Sequence, residues 1–291
     1  MESIKKPTGI KVGVVGLGLI GGSLAKAYRA YSEENNAGIE IYADDANESI
    51  VRYAQLAGVI DGRLDKNSIP QCDLIMVALY PTLTVEYLKR IAGLIGKETL
   101  VIDMCGTKKL VCSCGFALAE QYGFTFVGGH PMAGTQYSGF KHSKSTMFHG
   151  APMVIVPPRY DDIALFDRIK FMLIPAGFGK LSITDAEKHD KMIAFTSQLA
   201  HVVSNAYVKS PTAKDHDGFS AGSYKDLTRV AWLNEKMWTE LFLENKENLV
   251  TEIDCIVEAL LEYKQAMLDD DADKLCEILK QGRLAKEEID G

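Results

Sequence analysis

His130 stands in the run Gly128-Gly129-His130-Pro131-Met132-Ala133-Gly134. A histidine between a diglycine and a proline, at the exit of an expected strand, is poorly placed to fill a core. Its ordinary pKa of about 6.5 lets it take a proton from an alcohol while a hydride leaves the same carbon. A second polar run, Asp103-Met104-Cys105-Gly106-Thr107-Lys108, follows another expected strand. Ser197 and His201 are spaced i, i+4 in Ser197-Gln198-Leu199-Ala200-His201 and share a helix face. Arg229 lies in the stretch that opens with Ser223-Tyr224-Lys225-Asp226, and its planar fork suits a carboxylate. The bland alternatives are a turn role for His130 and a surface ion pair for Arg229. His142, His149, His189 and His216 lack comparable surroundings and read as surface or structural residues.

Hydride chemistry needs an acceptor, and Gly16-Leu17-Gly18-Leu19-Ile20-Gly21 fits G-x-G-x-x-G. The pattern alone is weak, but here it directly follows a strand and opens a helix. The first glycine allows a tight turn, the second lets the backbone approach a pyrophosphate, and the third lets helix and strand pack closely. The helix N-terminus then offers free N–H groups to the phosphates. The next strand ends in Asp44-Asp45, and a carboxylate there accepts hydrogen bonds from the adenosine ribose. Register favours Asp45, with Asp44 as the alternative. No Arg or Lys follows at once to welcome a 2′-phosphate, so NAD is favoured over NADP. Leu79, Tyr80 and Asp103, at the carboxyl ends of two later strands, join Leu19 and Ile20 as expected cofactor contacts.

Elements able to position these residues alternate along the first part of the chain. Short apolar runs at 10–15, 39–43, 74–79, 100–103, 124–128, 153–156 and 180–183 read as strands. Helical patterns at 20–31, 48–57, 82–95, 108–122 and 164–176 separate them. This alternation predicts an α/β Rossmann-type domain with a mostly parallel sheet covered on both faces. Strand signals stop near residue 184. The segments 185–208, 233–265 and 271–286 read as helices, the first with a cap at Thr184-Asp185. The expected organisation is a nucleotide-binding domain over 1–183 and an all-helical domain over 184–291.

Composition bounds the partners. The chain has 291 residues, 47% hydrophobic and 24% charged, with a formal net charge of −7. That balance supports a folded core and gives no basic stripe for nucleic acid. No apolar run is long enough to span a membrane, and the polar segment 1–8 does not read as a signal peptide. The six cysteines show no paired CxxC spacing, so reduced thiols, a cytoplasmic location and no metal site are expected.

Taken together, these motifs resemble the prephenate dehydrogenase family over nearly the whole chain and in the same order. The resemblance rests on the glycine run through Ser23, Asp103-x-x-Gly106-x-Lys108, His130-Pro-Met-Ala-Gly134, Ser197-Gln-Leu-x-His201 and Lys225-Asp-x-Thr-Arg229. It implies NAD-dependent oxidation and decarboxylation of prephenate to 4-hydroxyphenylpyruvate, on the route to tyrosine. By the same resemblance, His130 takes the proton of the ring C4 hydroxyl, and Arg229 grips a substrate carboxylate. Thr107 stands where the family usually has Ser, near the catalytic His and the nicotinamide. Ser197 and His201 line the substrate pocket with Lys225, Trp238 closes it across a dimer interface, and the helical domain forms a homodimer. Ala200 departs from the family's common proline before the histidine. Arogenate dehydrogenase is the nearest rival reading. A 3-hydroxyacid dehydrogenase, relying on a lysine in its helical half, and a non-catalytic NAD sensor stand further off, since neither explains His130, Thr107 and Arg229 together.

Overall fold

The computed structural model describes residues 6–290, so most of the polar 1–8 segment and Gly291 lie outside the described residues. The first half alternates as expected: β1 Lys11–Val15, α1 Leu19–Asn35, β2 Glu40–Asp44, α2 Glu48–Leu56, β3 Gly62–Arg63, β4 Leu74–Val77, α3 Pro81–Ile91, β5 Leu100–Asp103, α4 Lys109–Tyr122, β6 Thr125–Pro131, β7 Pro152–Val156, α5 Ile163–Leu173 and β8 Lys180–Ile183. These strands form one eight-stranded sheet in the order β3-β2-β1-β4-β5-β6-β7-β8. Pairings from β3 through β6 are parallel, β6 to β7 is antiparallel, and β7 to β8 is parallel.

Apart from Lys11 and Asp103 at their ends, β1, β4 and β5 carry no polar side chain, because helices cover both faces of the sheet. Val12, Val14, Leu74, Met76, Leu100 and Ile102 are buried on the face that also holds Leu24 and Tyr28 of α1 and Ile169 of α5. Val15, Ile75, Val77 and Val101 are buried on the other, against Leu88 of α3 and Val111 of α4. Side chains cap several helices: Asn47 accepts from Ser49 N, and Asp162 from Leu165 N.

After β8 the chain is helical: α6 Ala186–Ile193, a π-helical turn at Ala194–Leu199, α7 Ala200–Tyr207, α8 Gly222–Thr228, α9 Glu235–Glu244, α10 Lys246–Leu268 and α11 Ala272–Asp290. The side chain of Asp185 accepts from Lys188 N and caps α6, as its sequence signal implies. Three expectations change. The helix expected over 185–208 carries a π-turn. The single helix expected over 233–265 is broken at Asn245, whose backbone leaves the helical region at φ −110, ψ 23. The Asn245 amide is buried and donates to the Asp190 carbonyl and to Gln198 Oε1, both at 2.8 Å. Finally, β6 extends to Pro131, so His130 lies within the strand, paired with Val154 of β7, and not beyond its exit. Among the described residues no helix is long and apolar enough to cross a membrane.

Candidate active site

The glycine loop between β1 and α1 has the shape a dinucleotide needs. Gly16 adopts φ +82, and a Cβ there would lie 2.6 Å from the Ala78 carbonyl oxygen. At Gly21 a Cβ would meet the Gly16 carbonyl at 1.8 Å, so only glycine lets helix and loop close. Gly18 is the opposite case: a Cβ would meet nothing within 4 Å, which leaves the crest of the loop open to a ligand. No side chain caps α1, so its first N–H groups face outward beside the half-buried Leu19 and Ile20. These residues fit a pyrophosphate.

Asp45 is fixed at the same edge. Its Oδ2 accepts Leu17 N at 2.7 Å and its Oδ1 accepts Asn47 N at 2.8 Å, leaving a lone pair on each oxygen. Asp44 is committed elsewhere: Arg63 Nη2 and the Tyr87 hydroxyl donate to it, each at 3.2 Å, and Arg90 Nη2 lies 3.9 Å away. A cavity of about 640 Å³ opens here between Asp44, Asp45, Arg63, Leu79 and Tyr87. Leu79 is half-buried at this cavity and Tyr80 is exposed beside it. Folding has thus brought Arg63 and Arg90 to an edge where no cation follows Asp45 in sequence, because β3 and α3 both border it.

Asp103 corrects an expectation. Its side chain is fully buried, so it has no surface for a cofactor. Its Oδ1 accepts Gly129 N at 3.1 Å, while Oδ2 accepts Cys105 N at 2.9 Å and the ammonium of Lys108. Lys108 also donates to the Gly129 carbonyl. This buried pair ties β5 to β6 directly behind His130.

His130 is the head of a hydrogen-bonded chain. Its Nδ1 lies 2.9 Å from His189 Nε2, and His189 Nδ1 lies 2.7 Å from Asp190 Oδ1. The same Asp190 carboxylate accepts Lys108 N at 2.7 Å and Lys109 N at 3.0 Å, at the start of α4. A carboxylate only accepts, so His189 carries its proton on Nδ1. Neutral His189 then offers its Nε2 lone pair to the Nδ1–H of His130, and His130 is left with an unprotonated Nε2. Burial, then the charges of His189 and Lys108, push the pKa of His130 well below 6.5. Burial also lowers that of His189, against the pull of Asp190. Both rings are therefore neutral at pH 7. His189 is buried between His130 and Asp190, which overturns the surface half of the surface-or-structural reading and leaves the structural half standing. Its i, i+4 spacing to Ile193, on the buried face of α6, was the available signal.

Thr107 is buried beside this chain, and its hydroxyl donates to Glu244 Oε2 at 2.5 Å. A second cluster gathers on the helical half. His201 Nδ1 donates to the Ser197 carbonyl at 2.9 Å, across the π-turn, and its ring stacks on Trp238 with centroids 3.8 Å apart. Trp238 thus meets His201 within one chain. Burial lowers the pKa of His201, and the charge of Arg229 lowers it further. Arg229 and Lys225 are exposed and Ser197 is half-buried. Neither cation takes part in an ion pair among the described residues. No hydrogen bond joins the His201 cluster to the His130 chain among the described residues.

The chain as a whole is similar to known proteins. Residues 25–178 match the family model for the nucleotide-binding domain of prephenate dehydrogenase, and residues 185–281 match that for its dimerization domain. The prephenate dehydrogenase of Lactococcus lactis subsp. cremoris is 28% identical over 287 residues, covering 96% of this chain and 77% of that one. That of Bacillus subtilis is 29% identical over 281 residues, covering 93% and 73%. The solved structure of Aquifex aeolicus prephenate dehydrogenase with hydroxyphenyl propionate and NAD+ superposes with a TM-score of 0.81 at 28% identity, covering 98% of this chain and 100% of that one. This chain is an NAD-dependent dehydrogenase and belongs to the prephenate dehydrogenase family.

Proposed function

We propose that the chain oxidises prephenate with NAD, releasing carbon dioxide and 4-hydroxyphenylpyruvate, and that His130 is the base. The observation that carries this reading is the His130–His189–Asp190 chain, which leaves His130 Nε2 unprotonated. Nε2 receives the proton of the ring C4 hydroxyl as hydride leaves C4. Bound NAD supplies the hydride acceptor. The low pKa keeps His130 neutral and ready to accept across ordinary pH, and His189 with Asp190 holds the tautomer. Loss of the ring carboxylate as carbon dioxide then aromatises the ring. Thr107 lines the nicotinamide end. Arg229, exposed and unpaired, grips a substrate carboxylate by its fork, with Lys225 beside it. His201, Ser197 and Trp238 form the wall of the pocket.

The cofactor contacts in this reading are Gly16, Gly18, Leu19, Ile20, Gly21, Leu79 and Tyr80, with Asp45 on the ribose. Residues 1–183 form the nucleotide-binding unit and 184–291 the substrate and dimer unit of a cytoplasmic homodimer. Exposed Leu243, Val250, Val257, Leu260 and Leu261 on α9 and α10 supply the apolar surface for such a contact. The test is NADH formation with prephenate and with arogenate, each with NAD and NADP. Prephenate with NAD should give the highest kcat/KM. Arogenate as the better substrate would replace the substrate assignment, and no turnover of either would overturn the reading.

A further inference from the structure

Helix α9 roofs the carboxyl ends of β4 and β5. Leu241 lies over Gly106, where a Cβ would sit 3.4 Å from its methyl groups. Glu240 Oε1 accepts Thr82 N at 2.9 Å, just past Tyr80, and Glu244 Oε2 accepts the Thr107 hydroxyl at 2.5 Å. That edge is where a dinucleotide seated on the glycine loop brings its nicotinamide. The second oxygen of Glu244, Oε1, is buried and has no hydrogen-bond donor among the described residues. Burial, and the carboxylates of Glu240 and Asp190, raise the pKa of Glu244 against the Thr107 hydrogen bond. Lys108, the cation that opposes this, is already held by Asp103 and the Gly129 carbonyl. A carboxylate in this state is unfavourable until a cation or a donor meets it. The oxidised nicotinamide offers both, a positive ring and a carboxamide N–H, whereas the reduced form keeps the amide and loses the charge.

We propose that Glu244 contacts the nicotinamide end of the cofactor and selects its oxidised form. The inference rests on the dinucleotide reading above. Its consequence is directional: the site holds NAD+ for reaction and loosens its grip once the ring has become neutral. Thr107 is aimed by the same side chain, since a hydroxyl that donates to Glu244 is left to accept.

Calorimetric titration of NAD+, NADH and ADP-ribose into wild type, Glu244→Gln and Glu244→Met tests this. Gln keeps an acceptor for Thr107 and removes the charge; Met fills similar space with neither. Both variants should bind NAD+ about fivefold more weakly or worse, with NADH and ADP-ribose changed by less than about twofold. Equal weakening of NAD+ and NADH, or no change in either, overturns the proposal. Loss of ADP-ribose binding in both variants also overturns it, since Glu244 would then act only in folding. Wild type that binds none of the three ligands would instead defeat the dinucleotide reading itself.

Discussion

The two ends of the cleft are built differently. The proposed adenosine end is local: Gly16, Gly18, Gly21 and Asp45 lie within the first βαβ unit, and Asp45 is held by the backbone groups Leu17 N and Asn47 N. The proposed catalytic end is assembled from afar: His130 on β6 meets His189 and Asp190 on α6, and Thr107 after β5 meets Glu244 on α9, all through side chains. A site made of backbone tolerates many side-chain changes around it. A site made of a buried polar chain depends on each link, because a broken link leaves its neighbour buried and unpaired.

Substitutions at the catalytic end should therefore cost most. His130→Asn removes the base and should lower kcat by roughly 10²–10⁴ with little change in KM, read from steady-state kinetics. Next in size is Asp190→Asn. Its amide must turn an NH2 toward Lys108 N or Lys109 N, so the variant loses both the negative charge and one of the acceptors that hold the end of the chain beside His189. A fall in kcat of about 10²-fold is expected, with circular dichroism unchanged. Wild-type kcat for this variant would break the chain as a functional unit. Arg229→Ala should mainly raise KM, by about tenfold or more, and Arg229→Lys should not restore it. Unchanged KM would move the carboxylate grip to Lys225. The smallest effect belongs to the adenosine end. Asp44→Asn loosens the hold on Arg63 and should narrow NAD preference over NADP, from about tenfold in wild type to a few-fold. A wild-type kcat/KM ratio near one would show that Arg63 and Arg90 already serve a 2′-phosphate.

What the sequence disclosed follows the same division. The glycine loop, the Asp45 turn and the alternation of strands and helices are short-range patterns, and they are legible because spacing alone fixes their geometry. His130, Thr107 and Arg229 stood out through their immediate neighbours. His189 did not, because its partners are His130, far back in the chain, and a carboxylate held by the first turn of α4. Nor could spacing reveal that Asp103 is sealed by Lys108, or that Arg63 and Arg90 flank Asp44. The break at Asn245 is equally tertiary: an amide buried between α6 and the π-turn overrides a continuous helical pattern. Long-range polar contacts carry no periodicity, so they emerge only once the chain is folded.

The proposed chemistry depends on the chain through His189 and Asp190 holding His130 as a neutral base with Nε2 free. Nitrogen-15 correlation spectra of histidine-labelled protein report this directly, with the His130 signals identified by their loss in His130→Asn. A proton is expected on Nδ1 and none on Nε2 at pH 7, with no protonation of the ring until the pH falls well below 6.5. A proton on Nε2, or a titration at or above 6.5, would contradict it.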